Sequence, residues 1–129
     1  MPRSPKIITR SKKKREITSK QLTNIICKGA EDKLASNIEI IDTRKISSVC
    51  NYLIVCSANS KPHFDAIVDG IEAEIKKRGL KMPKPQGEKE SNWIILDFIN
   101  VIVHILGKEE RQKYNLEELW GKSGIIYHL

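Results

Sequence analysis

The feature that most constrains the fold is the stretch of residues 92–106. It contains two apolar runs rich in β-branched residues, at 93–96 and 101–106, joined by a short connection at 97–100. Such a pair of runs predicts two buried neighbouring strands at the middle of a sheet. Trp93, Asp97 and His104 are polar or amphipathic side chains set into this block. We therefore expect the stretch to supply both the core and the binding surface.

The net charge is concentrated at one end of the chain. Residues 1–20 contain eight basic residues and one acidic residue, whereas residues 21–129 contain fifteen of each. Residues 1–18 contain two prolines, show no apolar periodicity and include a run of four basic residues: Lys12, Lys13, Lys14 and Arg15. This composition predicts a disordered basic tail, either solubilising or attracted to polyanions. The folded domain is then residues 19–129, enough for a single core.

Hydrophobic periodicity predicts a compact α/β domain. A helix capped by Thr18 or Ser19 runs to about residue 33, and a second helix follows the N-cap Ser60 and ends at Gly79. Strands are predicted at 38–42 and 52–56, in addition to the two strands of the opening stretch. The strand–helix–strand order implies a crossover with at least one parallel pair, so the sheet should be mixed, with flanking helices.

The rest of the chain is predicted as follows. Residues 81–91 should form a loop, and residues 125–127 an edge strand. A charged helix follows the second strand of the opening stretch and should extend to Trp120, with four inward-facing side chains: Tyr114, Leu116, Leu119 and Trp120.

The sequence lacks the residue patterns that the common catalytic sites require. The strand–helix turn at 56–60 lacks the glycines of a phosphate cradle. Asp42 and Asp97 are each single carboxylates, so a two-metal site would require the fold to bring them together. A nucleophilic Cys50 paired with His63 is supported by the residue types alone. The three histidines and three cysteines lack the short spacings of a metal site, so we expect neither metal nor cofactor.

Two of the cysteines indicate the compartment. Cys27 and Cys56 lie within apolar patterns, which predicts buried thiols in a reducing environment. We therefore expect a cytoplasmic protein.

Strand alternation places Trp93, Ile95 and Asp97 on one face of the sheet. Because both faces of this strand are apolar, the face with Trp93 is either covered by the last helix or left as a protein-binding patch. His104 is either a core histidine with its hydrogen bonds satisfied or a contact to the partner.

An ordered set of short motifs supports a family resemblance. In the first half they are Asp42-Thr43-Arg44, Ser47-Ser48 and the run 51–60. In the second half they are Gly87-Glu88, the run 93–98, Val103-His104, Arg111, the run 114–117 and Leu119-Trp120. Across residues 20–124 this set resembles the ribosomal silencing factor family, RsfS, also called Iojap-like proteins.

The resemblance implies a non-enzymatic domain of nucleotidyltransferase-like topology that lacks catalytic residues. It further implies binding to ribosomal protein L-fourteen on the large subunit, a steric block to subunit joining and repression of translation. A homodimer of the free protein, with an apolar sheet face as its seam, is also implied. The expected partner contacts are Trp93, Ile95, Asp97, His104, Tyr114, Leu116 and Trp120. The basic tail lies outside the region of resemblance, so its role does not follow from the family; its charge alone suggests that Lys12, Lys13, Lys14 and Arg15 contact ribosomal RNA.

Departures and alternatives accompany this resemblance. Asn51 stands where the family usually has Asp, Ser91 replaces a common Gly, and Ile99-Asn100 replace a usual Gly-Asp in the turn between the two strands. The turn change should alter the hairpin tip. The alternatives are a nucleotidyltransferase-type enzyme using magnesium, and a general RNA-binding protein acting through its tail.

Overall fold

A computed structural model describes residues 17–115 and 125–128 of the chain. The described helices are α1 (Ser19–Asp32), α2 (Lys61–Lys77) and α3 (Lys108–Tyr114). The described strands are β1 (Ser36–Asp42), β2 (Tyr52–Ala58), β3 (Gln86–Glu88), β4 (Trp93–Asp97), β5 (Val101–Gly107) and β6 (Ile125–His128). A short 3-10 turn, Lys89–Ser91, lies between β3 and β4.

The described strands form one mixed sheet in the order β3-β4-β5-β2-β1-β6. β2 and β5 pair in parallel, with Ile54 opposite Val103, and the other neighbouring strands pair antiparallel. The parallel pair arises because the chain returns through α2 before it re-enters the sheet. The predicted α/β class, the mixed sheet and the edge strand at β6 are confirmed.

Helices α1 and α2 cover one face of the sheet, which we call the helix face. α1 begins with a capping box between Thr18 and Gln21, and α2 begins at the N-cap Ser60 with a proline in its first turn. Their apolar stripes pack on β2, β4 and β5 to form the main core. The helices touch most closely at Gly29 and Gly70, where an added Cβ would lie 2.5–2.6 Å from the opposite backbone.

The opposite face of the sheet, called the second face here, carries a smaller buried cluster. This cluster consists of Ile41, Leu53, Val55 and Leu106. Helix α3 lies against this face near the end of β5, since its Arg111 reaches Ser57 on β2 and Glu39 on β1. The two faces therefore differ in how they are covered: two long helices on one, and one seven-residue helix on the other among the described residues.

Two local predictions were wrong. The predicted loop 81–91 contains β3, whose three residues pair with β4. The last helix was expected to extend to Trp120 but ends at Tyr114, because Asn115 adopts a left-handed conformation (φ 44°, ψ 56°) and its N–H donates to the Arg111 carbonyl. Leu116, Leu119 and Trp120 lie outside the described residues.

Candidate functional site

The alternation predicted for β4 is confirmed. Ile94 and Leu96 are buried under the helices, whereas Trp93 and Ile95 are half-buried on the second face and Asp97 is exposed there. Trp93 rests on the small buried cluster of that face. The side chain is thus neither fully in the core nor free, and part of the ring remains available to a partner.

Trp93 belongs to a cluster of three rings from different elements. Its indole Nε1–H donates a 3.0 Å hydrogen bond to Nδ1 of His104 on β5, and the two ring centroids are 5.8 Å apart. Tyr114 of α3 also contacts Trp93, with ring centroids 4.7 Å apart at an interplanar angle of 50°. Tyr114 remains 48% exposed. The structure therefore brings together three residues that the sequence had placed on separate elements.

His104 is half-buried and neutral at physiological pH. Desolvation by burial lowers its pKa from 6.5 to about 4. Since Nδ1 accepts the Trp93 hydrogen bond, the proton of the neutral ring sits on Nε2. His104 thus combines features of both predicted roles: one nitrogen is satisfied inside the protein, and the residue still lies on the partly exposed second face.

Arg111 fixes α3 on the sheet, a role the sequence analysis missed. Its Nη1 donates to the Asn37 carbonyl and to Ser57 Oγ at 3.2 Å, and its Nη2 lies 3.4 Å from Glu39 Oε1. The side chain is only 8% exposed. The available signal was its spacing three residues before Tyr114, but a charged residue is not expected to face inward without knowledge of its partners.

The β4–β5 turn forms the other end of the surface. Asp97 Oδ1 accepts from the Ile99 N–H at 2.8 Å, and the Asn100 N–H donates to the Phe98 carbonyl at 3.0 Å. Ile99 has φ +76° and is 76% exposed. This is the rare γ-turn with a positive φ at its central residue, which is strained for a β-branched side chain. Ile102, opposite Asp97, is a further half-buried residue of this face that the sequence analysis did not single out.

The two carboxylates of the enzyme alternative are far apart. Asp42 follows Ile40 on the helix face, whereas Asp97 lies on the second face, and β1 and β4 are separated by three strand spacings, roughly 14 Å. Asp42 also accepts two hydrogen bonds from the Arg44 side chain, at 2.9 and 2.6 Å, which hold its pKa below the usual value. This arrangement does not form a two-metal site.

The fold also separates Cys50 from His63. Cys50 precedes β2 and His63 follows it, so the seven-residue strand places them roughly 20 Å apart. His63 is occupied structurally, since its Nδ1 accepts from the Asn59 N–H at 2.8 Å. Cys27 and Cys56 are buried, and desolvation raises the pKa of each thiol to about 12. Within residues 17–115 and 125–128, no three His, Cys, Asp or Glu side chains are grouped as metal ligands.

Some predicted site residues cannot be placed. Leu116, Trp120 and the four basic tail residues Lys12, Lys13, Lys14 and Arg15 lie outside the described residues. Among the described helices, none is long and apolar enough to cross a membrane.

Comparison with known proteins identifies the family. The family model described as "Ribosomal silencing factor during starvation" matches residues 16–126. The chain belongs to the ribosomal silencing factor family. It is 34% identical to ribosomal silencing factor RsfS of Bacillus subtilis over 107 residues, which cover 83% of this chain and 91% of that protein. It is also 29% identical to the chloroplastic Iojap protein of maize over 98 residues, covering 76% of this chain and 42% of the relative.

Solved structures show the same fold. A crystal structure of a Bacillus halodurans protein aligns with a TM-score of 0.68 and 26% identity, covering 79% of this chain and 95% of that one. A Chromobacterium violaceum protein aligns with a TM-score of 0.75 at 24% identity, covering 81% and 88% of the two chains, and supports the fold alone. Family membership confirms the resemblance seen in the motifs and supports a role in ribosome silencing for this chain.

Proposed function

We propose that this protein binds ribosomal protein L-fourteen on the large ribosomal subunit through the second face of its sheet. Bound there, it blocks joining of the small subunit and represses translation by steric occlusion, without catalysis. The observation that carries the proposal is the half-exposed ring cluster of Trp93, His104 and Tyr114, with Ile95 beside it. An aromatic anchor on an aliphatic floor is the usual composition of an energetically important protein contact.

The cluster is held in place before any partner arrives. Trp93 is fixed by its hydrogen bond to His104 and by Tyr114, and Arg111 holds the helix that carries Tyr114. A side chain that is already ordered loses little conformational entropy on binding, so more of its contact energy appears as affinity. This favours a docking role over an accidental surface exposure.

Electrostatics should contribute little to the contact made by the folded domain. Residues 21–129 contain equal numbers of basic and acidic residues, so this part has no net charge to steer it to the ribosome. The second face presents apolar rings with Asp97 at one end. We therefore expect binding by the domain to depend weakly on salt.

The basic tail would add a separate, salt-sensitive contact to ribosomal RNA. If all four residues of the basic run, Lys12, Lys13, Lys14 and Arg15, neutralised phosphates, removing them would reduce the slope of log K against log salt by about 3 to 4. Deleting residues 1–16 should therefore weaken binding at low salt and change it little at high salt. A deletion that abolishes binding at all salt concentrations would instead favour the general RNA-binding alternative.

The direct test is cosedimentation with isolated large ribosomal subunits. Trp93→Ala and Tyr114→Ala should each weaken binding, Trp93→Ala by about 30-fold or more. Val49→Ala is a control because Val49 is 73% exposed on the β1–β2 loop and is not part of the ring cluster. The proteins should also slow subunit joining, measured by light scattering, in the same order as they bind. Equal binding by the wild type and Trp93→Ala would rule out the proposed face.

A homodimer of the free protein would use the same apolar face and would therefore compete with docking. Sedimentation velocity of the wild type and Tyr114→Ala tests this, since a dimer through this face should dissociate more readily in the variant. Three buried free cysteines fit a protein that works in the reducing cytoplasm.

A further inference from the structure

We propose that His104 is a specificity-determining residue of the docking face: its Nε2–H donates to an uncharged oxygen acceptor on the protein partner. Trp93 is the positioning residue, because its indole N–H fixes the tautomer that makes this donor available. The inference rests on the proposed docking function and adds the polar contact that the face would use.

The indole N–H of Trp93 is directed towards His104 within the protein. A tryptophan at a protein contact commonly offers its ring surface and its N–H together. Here the N–H is already used, since it donates to His104 Nδ1 at 3.0 Å. Trp93 can therefore give a partner apolar area but no hydrogen bond, and the donor role passes to the next residue in this pair.

The proton of the neutral His104 ring lies on Nε2. A neutral imidazole with Nδ1 acting as acceptor carries its proton on Nε2. Within residues 17–115 and 125–128 no group accepts a hydrogen bond from Nε2. The fully buried polar atoms that lack a partner do not include Nε2, so this nitrogen is accessible to solvent. The pair of residues thus converts an inward-facing indole donor into a solvent-accessible imidazole donor.

The immediate strand neighbours of His104 are apolar. His104 stands between Ile95 on β4 and Val55 on β2 in the ladder. Among the described residues, the charged groups on or beside this face include Asp97, whose Oδ1 accepts from the Ile99 N–H, and the Glu39–Arg111 pair. Lys113 lies at the edge of the ring cluster, with its Nζ 5.6 Å from the centroid of the Tyr114 ring. Burial is what depresses the pKa of His104, so the ring stays uncharged at neutral pH.

These surroundings explain why the contact would be selective. A partner that covers the second face also covers the Nε2–H, and a donor buried without an acceptor costs more than a satisfied one returns. A partner must therefore place an oxygen opposite Nε2. A neutral donor in an apolar setting favours a carbonyl or hydroxyl oxygen, because burying a carboxylate beside it adds a large desolvation penalty.

Two substitutions separate the two nitrogens. His104→Asn places an oxygen near the Nδ1 position, so it can still accept from Trp93, but it has no group at the Nε2 position. His104→Gln reaches the Nε2 position with an amide N–H and loses the Nδ1 acceptor. We expect His104→Asn to fold normally and bind large subunits about 3- to 10-fold more weakly, and His104→Gln to bind more tightly than His104→Asn.

NMR and calorimetry complete the test. Nitrogen-15 NMR of the free protein should show His104 protonated on Nε2, and Trp93→Phe should loosen this tautomer preference while leaving an aromatic ring in place. Calorimetric titration with purified ribosomal protein L-fourteen in buffers of different ionisation enthalpy should show no proton uptake at pH 7.

The outcomes are distinguishable from those of the docking proposal. If the wild type binds and His104→Asn binds equally well, the role of His104 is wrong and the docking face stands. A proton on Nδ1 in the free protein overturns the inference independently of the ribosome. Proton uptake on binding indicates a carboxylate acceptor and overturns the uncharged one. If the wild type does not bind large subunits, both proposals fail.

Discussion

Replacing Arg111 by methionine tests how α3, and with it Tyr114, is held on the sheet. The substitution keeps the aliphatic stem but removes the guanidinium, which donates to the Asn37 carbonyl and to Ser57 Oγ and pairs with Glu39. Breaking a buried ion pair by removing one partner costs about 3–5 kcal/mol. Glu39 is 14% exposed and can recover some hydration, so we expect a loss of about 3 kcal/mol in the free energy of unfolding.

This loss can be measured by urea and thermal unfolding followed by circular dichroism. For a domain of this size, about 3 kcal/mol corresponds to a decrease in Tm of about 12 °C. Gln112→Met is the matched control, because Gln112 is an exposed residue of the same helix and should change Tm little. Amide hydrogen exchange should show that protection is lost first in α3.

A second substitution tests the physical reason. Adding Glu39→Gln to Arg111→Met also removes the carboxylate that paired with Arg111 and should recover about 1–2 kcal/mol. The reasoning would be refuted if Arg111→Met lowered Tm no more than Gln112→Met, or if Glu39→Gln gave no recovery. Because Tyr114 depends on α3, Arg111→Met should also weaken binding to large subunits.

Three further predictions concern separate parts of the fold. Gly70→Ala should destabilise the protein by about 1 kcal/mol in urea unfolding, because a Cβ 2.5 Å from the Gly29 carbonyl oxygen outweighs the gain of about 1 kcal/mol in helix propensity; a more stable variant would contradict this close packing. Ile99→Gly should raise Tm by about 2–4 °C, since relief of a positive φ exceeds the added entropy of the unfolded chain, whereas Ile99→Val should not raise it. His104 has a pKa of about 4 in the folded protein and about 6.5 when unfolded, so the unfolded state binds more protons between these pH values. The free energy of unfolding should therefore fall by up to about 3 kcal/mol as pH decreases from about 6.5 to 4. His104→Asn should remove that part of the pH dependence.

The two long helices and the central strands could be predicted because their signals are local. Capping residues at Thr18 and Ser60 and apolar spacing of 3.6 residues define α1 and α2 without reference to the rest of the chain. Alternation alone also placed Trp93 and Ile95 on the same face of β4, opposite Ile94 and Leu96. The order and spacing of short motifs were enough to identify the family.

Other features depend on partners that are distant in sequence. The three residues of β3 are a strand only because β4 lies beside them, and their own composition is that of a loop. Similarly, the end of α3 at Asn115 was missed because a left-handed conformation of asparagine is not required by the local sequence. Arg111 could not be assigned an inward position before Ser57 and Glu39, more than fifty residues earlier, were known to face it.

The ring cluster of Trp93, His104 and Tyr114 depends partly on the sequence of each strand and partly on the tertiary structure. The sequence by itself determined that Trp93 and His104 lie in neighbouring strands, because residue period and β-branching are properties of each run. Only the tertiary structure decided that the indole N–H points to Nδ1 of His104 and that Tyr114 lies against the same ring. Side-chain partners are set by strand register and helix placement, and a shift of one residue in register would move His104 to the opposite face.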